Sequence, residues 1–151
     1  MKELCLGTAM WGWSVSRDTA FSILDCFYDG GGRYVDTANN YPLNGNARDY
    51  RTSPFFLADW CRSRGVNDLK ITCKVGTTSN EHSPFINLSP SHLDDQITWA
   101  RDWFNENLHC IMIHWDDRKD YELINETIEF LEVLNEYGLE LGFSGISHPE
   151  I

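Results

Sequence analysis

The sequence predicts an α/β fold of (β/α)8 barrel type, incomplete at this length, with a parallel sheet built from repeated βα units. Short β-branched or apolar runs alternate with longer segments of helical period, the pattern that pairs a parallel sheet with flanking helices. Glycines close several of the periodic segments, as helix ends prefer. The repeat is about 33 residues, so 151 residues hold four units and a fifth strand, where a whole barrel takes about 250.

The elements follow in order. LCLGTA at 4–9 is the first strand. Ser16 caps a helix with Ala20, Ile23, Leu24 and Phe27 on one face, which Gly30, Gly31 and Gly32 end. YVDTA at 34–38 is the second strand. After a loop rich in Asn and Gly, Ser53 and Pro54 read as cap and first residue of a helix through Phe56, Leu57, Trp60 and Cys61, ending at Gly65. LKITCKV at 69–75 is the third strand. The polar loop from Gly76 to Leu88 is long for a plain connection, and such loops tend to carry function. Ser91 then caps a helix that places Leu93, Ile97, Ala100 and Phe104 together. CIMIHW at 110–115 is the fourth strand. A helix over 121–137, with Leu123, Thr127, Phe130, Leu131 and Leu134 inward, ends at Gly138 before the fifth strand, LELGFS at 139–144. Residues 1–151 read as one domain, without linker or low-complexity tract.

Composition narrows the function. Twelve Lys and Arg against 23 Asp and Glu leave a net charge of −11, which repels a phosphate backbone and argues against nucleic acid. No apolar run is long enough to span a membrane, and MKELCLGTA lacks the features of a signal peptide, so the expectation is a cytoplasmic chain. Cys5, Cys26, Cys61, Cys73 and Cys110 are odd in number and scattered. They read as reduced core thiols, with neither a zinc site nor a disulfide framework.

Parallel βα folds place reactive groups at the C-terminal ends of their strands. Asp36 ends the second strand with Tyr41 five residues on, Lys74 ends the third, and His114 ends the fourth. An ammonium beside a phenol favours the phenolate and lowers the Tyr pKa, a carboxylate holds the ammonium, and an imidazole can orient a carbonyl oxygen. Taken singly, each residue has a plain structural reading: a cap, a loop anchor, an edge charge, a buried histidine. Their joint order on neighbouring strands is what points to chemistry. His114, Asp116 and Asp117 together suggest a metal set, but Asp pairs after a strand are mostly caps and turns, so the expectation is no metal.

With these residues in view, LGTAMWG, DTANNY, ITCKVG, IMIHWDD and LGFSGI resemble, in order and spacing, the first five strands of an aldo-keto reductase. The resemblance implies a TIM barrel, an NADP or NAD cofactor bound without a Rossmann motif, and hydride transfer to an aldehyde or ketone. It implies Tyr41 as the acid, Lys74 and Asp36 as its tuning pair, and His114 as the residue that orients substrate. It further implies Thr8 and Ser144 at the cofactor, with Trp11 and Trp115 lining the pocket. Two features depart from the family pattern: Gly145 stands where Asn commonly follows the Ser, and YPLNGNARDYRTSP differs from the usual segment after the Tyr. The family's last three strands and its phosphate-gripping loops have no counterpart in these residues.

An open parallel sheet exposes its edges and inner layer, so the expectation is a homo-oligomer or a complementing chain. Two functions compete: a carbonyl oxidoreductase active when the barrel is completed, and a non-catalytic scaffold or binding module that keeps a carbonyl-sized pocket.

Overall fold

Five strands lie side by side in chain order, all parallel: β1 (Cys5–Gly7), β2 (Tyr34–Ala38), β3 (Lys70–Val75), β4 (Leu108–Asp116) and β5 (Glu140–Ile146). Helices α1 (Arg17–Asp29), α2 (Thr52–Arg64), α3 (Pro90–Phe104) and α4 (Tyr121–Glu132) fill the crossovers, the last running on as a 3-10 turn over Val133–Tyr137. The computed structural model describes residues 4–82 and 85–150; Met1 to Glu3 of the signal-peptide reading, and Ser83 and Pro84 of the long polar loop, lie outside them.

Strand side chains alternate between the two faces of the sheet. Val35, Ile71, Cys73, Val75, Ile111 and Ile113 meet Leu57 and Trp60 of α2 and Leu93, Ile97 and Phe104 of α3 in one core. The intervening Asp36, Lys74 and His114 therefore face the other side, the inner wall of a partial barrel. Register shifts between Ile71 and Thr72, which pair with Leu108 and Cys110, leaving His109 as an extra residue. That bulge matters: Leu108 and His114 are six residues apart, and without it a strand burying Leu108 in the core would turn His114 the same way.

Several caps follow from sequence. Ser16 accepts the Thr19 N–H at 3.2 Å, and Gly65 closes α2 at φ 65°. Others need correction. Ser53 does not cap α2. The helix starts from Arg51 at φ 67°, and the buried Ser53 hydroxyl donates instead to the Thr8 carbonyl at 2.7 Å, tying α2 to the end of β1. Ser89, not Ser91, holds the position before α3, where Pro90 takes the first turn. Leu123, inward by the sequence pattern, is 49% exposed. The thiols divide: Cys61, Cys73 and Cys110 are buried, while Cys5 and Cys26 are exposed. Burial pushes the Cys61 and Cys73 thiols up to about 12, which keeps them protonated. Among the described residues, no helix is long and apolar enough to cross a membrane.

Candidate active site

Lys74 is the hub of the inner wall. Its side chain is 6% exposed, and its ammonium donates to Asp36 Oδ1 on the neighbouring strand. In register terms Lys74 lies beside Ala38, so the Asp36 carboxylate sits one inward position back along β2. Tyr41 follows three residues after β2, its N–H donating to the Ala38 carbonyl at 3.2 Å and its carbonyl accepting the Ser53 N–H at 3.2 Å. These bonds bring the phenol ring under the lysine, 5.2 Å from Nζ to the ring centroid. The same ring meets His114 edge to face at 5.8 Å, and His114 stacks on Trp115 at 3.6 Å with 14° between planes. Asp36, Lys74, Tyr41, His114 and Trp115 thus form one unbroken run of contacts across three strands.

The electrostatics depart from the simplest expectation. Burial raises the Tyr41 phenol above its ordinary value, and the pull of Lys74 in the opposite direction offsets only part of that rise. The resting phenol is therefore a weaker acid than a free one, contrary to the lowered pKa expected from the lysine alone. His114 is 4% exposed, and desolvation together with the Lys74 charge brings its imidazole down to about 3, so it is neutral at ordinary pH. Its Nδ1 is buried without a partner. Such an atom is a free hydrogen-bonding position within the site.

The remaining expected residues divide. Ser144 sits beside His114 in register on β5, half-buried. Thr8 is fully buried, with its hydroxyl held between Thr37 and Ser53 at 2.9 Å each, so it is closed to a ligand. Trp11 is 3% exposed and belongs to the main core, offering a pocket almost no surface. Trp13, two residues on, is the exposed indole of that loop at 52%, and it faces His82 with ring centroids 6.3 Å apart. Gly145 has a physical reason: at φ 76°, a Cβ there would lie 2.8 Å from the Trp115 indole. Asp116 is claimed by Arg118, which grips both carboxylate oxygens at 2.9 and 2.7 Å.

Sequence reading missed the polar layer behind the site. Asn39, Thr77 and Gln96 are all buried and bonded to one another, with Tyr50 at their edge. One signal was present: Gln96 falls in the apolar stripe of α3, where a polar residue needs a partner. A cleft of about 680 Å³ lies away from this chemistry at the opposite ends of the strands, between Arg101, Leu108, Tyr137 and Leu139.

The parallel sheet, with an acid, an ammonium, a phenol and an imidazole joined on its inner wall, is part of a (β/α)8 barrel. The profile of the aldo/keto reductase family matches residues 3–151, and the chain belongs to that family. It is similar to norsolorinic acid reductase stcV of Emericella nidulans, 40% identical over 75 residues, which are 45% of this chain and 18% of the relative. It is also similar to aryl-alcohol dehydrogenase [NADP(+)] of Phanerodontia chrysosporium, 34% identical over 55 residues, covering 36% of this chain and 12% of that one. The holo form of aldo-keto reductase AKR11C1 from Bacillus halodurans superposes with a TM-score of 0.73 at 22% identity, over 95% of this chain and 46% of that structure. The chain spans less than half the length of each of these proteins.

Proposed function

We propose that this chain carries the acid–base wall of an NAD(P)H-dependent oxidoreductase that reduces aryl aldehydes or ketones. The observation that carries the reading is the continuous contact from Asp36 through Lys74 and Tyr41 to His114. The aryl preference is supported by the name of the similar aryl-alcohol dehydrogenase and by the flat face of Trp115 stacked on His114.

The residues fit a nicotinamide cofactor in part. Ser144, half-buried beside His114, would hold its carboxamide, whereas the sealed Thr8 hydroxyl would not take part. When bound, that cofactor supplies the hydride. The chain's own groups handle the oxygen. The neutral His114 has one N–H to donate, which orients a carbonyl oxygen toward the Tyr41 hydroxyl. Because burial raises the phenol's pKa, the proton stays on Tyr41 until negative charge develops on that oxygen, and then transfers. Lys74 stabilises the phenolate left behind, and Asp36 keeps the ammonium in place.

The inner wall must be covered for such chemistry, since water at the site would weaken each of these interactions. Further βα units, a second copy or a complementing chain would supply the cover. Fluorescence titration with NADPH, followed by turnover of an aryl aldehyde, tests the reading. Saturable binding with turnover is expected from the covered site. Binding of neither cofactor nor carbonyl would leave the fold as a scaffold.

A further inference from the structure

Gln96 occupies a place that polarity alone would not assign it. It lies between Leu93, Ile97 and Ala100 on the buried face of α3, only 2% exposed. Its Oε1 accepts the Gly76 N–H at 2.8 Å and an Asn39 Nδ2 proton at 3.0 Å. Its Nε2 donates to the Thr77 carbonyl at 3.0 Å. Gly76 and Thr77 directly follow β3, where the ladder stops; the Gly76 N–H relies on Gln96, while the Thr77 carbonyl also accepts from Asn39 Nδ2 at 2.9 Å and from the Tyr50 hydroxyl at 3.0 Å. A primary side-chain amide offers C=O and N–H side by side, so Gln96 bonds both backbone groups of the strand end from the helix layer.

Asn39 completes the brace. Its backbone N–H donates to the Lys74 carbonyl at 2.8 Å, and its Oδ1 accepts from the Thr77 hydroxyl at 2.8 Å. Asn39 lies two residues before Tyr41, and Gly76 two after Lys74. The amide network therefore sets the two strand ends that carry the phenol and the ammonium. Gln96 Nε2 also meets His92 Nε2, one turn back on α3. The Gly76 N–H fixes which way round the amide lies, since it must face Oε1. The NH2 group then points at His92, whose Nε2 has to accept.

We propose that Gln96 is a positioning residue for the Tyr41–Lys74 pair, and that it holds that pair only while His92 is neutral. A protonated His92 would set an N–H against the Gln96 NH2. The two donors repel, and either the ring leaves or the amide releases Thr77. The groups around His92 are mixed: Asp95 on its own helix favours the charged form, Arg51 at the start of α2 disfavours it, and burial disfavours it most. The outcome lies below the ordinary imidazole range, so the brace is intact at neutral pH and loosens on acidification. The catalytic meaning of this rests on the proposed function, but the geometric claim does not.

The test places 3-fluorotyrosine at position 41 and follows its fluorine resonance with pH in the otherwise unaltered chain, in Gln96→Met and in His92→Gln. Gln96→Met keeps the volume and loses the four hydrogen bonds of the amide, to Gly76, Asn39, Thr77 and His92. With Lys74 less well held over the ring, burial is less opposed, and the phenol midpoint should rise by about half a pH unit or more. In the unaltered chain the resonance should also step below the ordinary imidazole range as His92 takes up a proton, and that step should vanish in His92→Gln. An unmoved midpoint in a Gln96→Met chain with an unchanged circular dichroism spectrum would overturn the proposal. So would superimposable acid curves for the unaltered chain and His92→Gln. If Gln96→Met does not fold, the His92→Gln comparison decides, because it alters a half-buried surface position. Should the midpoint move while Tyr41→Phe keeps full turnover, the positioning stands and the catalytic reading fails.

Discussion

Lys74 and Asp36 form an ion pair of unequal burial: the lysine side chain is 6% exposed and the aspartate 32%. The ammonium depends on the pair more than the carboxylate does, since only the carboxylate keeps contact with water. Lys74→Met should accordingly cost about 1–3 kcal/mol, below the range for a wholly buried pair, because Asp36 can be rescued by solvent. The same variant should raise the Tyr41 phenol further, since the one group opposing burial is gone. Denaturant melts and a phenol titration check the two parts separately.

Tyr41→Phe keeps the ring that packs on His114 and removes only the hydroxyl. The fold should be unchanged, and reduction of an aryl aldehyde should fall by about 10²–10⁴ in kcat with little change in cofactor affinity. A variant that keeps more than about a tenth of the turnover would mean that Tyr41 merely anchors its loop.

His114 links the site to acid stability. Its imidazole is held near 3 in the fold against an ordinary 6.5, so the unfolded chain takes up the proton first as pH falls. The stabilisation is fully present above pH 6.5 and is lost progressively toward pH 3. Over that window the loss should be of order 3 kcal/mol, allowing for water that reaches the open wall. Urea midpoints at pH 7 and pH 5 should differ less in His114→Gln than in the unaltered chain.

Gly145→Ala adds a methyl group where φ is 76° and the Trp115 indole is 2.8 Å away. Backbone strain should cost about 1–2 kcal/mol. The indole should also be displaced from its stack on His114, raising KM for aryl substrates more than it lowers kcat. Steady-state kinetics beside a thermal melt separates the two effects.

Ser53→Ala tests the tie between α2 and β1. With the hydroxyl gone, the buried Thr8 carbonyl keeps only the Trp11 N–H at 3.1 Å, and Thr8 Oγ1 loses one of its two neighbours. A loss of about 1–2 kcal/mol is expected. Ser91→Ala, at the exposed residue beyond the true start of α3, should change stability by less than about 0.5 kcal/mol.

What the sequence alone determined is what local rules control. The period of two places β2 at Tyr34–Ala38 to the residue, the glycine at 65 ends α2, and the order of Asp36, Tyr41, Lys74 and His114 along successive βα units marks the rim. Only tertiary structure decided the rest. Whether a serine caps a helix or ties it to a strand depends on what lies beyond the helix, and at Ser53 that neighbour is Thr8, 45 residues away. The sign of the Tyr41 shift depended on burial outweighing a nearby charge, a balance that spacing cannot reveal. Gln96 became intelligible only when β3 ended beneath it. Its two amide groups are ordinary until the fold buries the Gly76 N–H and the Thr77 carbonyl just beyond the end of the ladder, where the amide bonds to both.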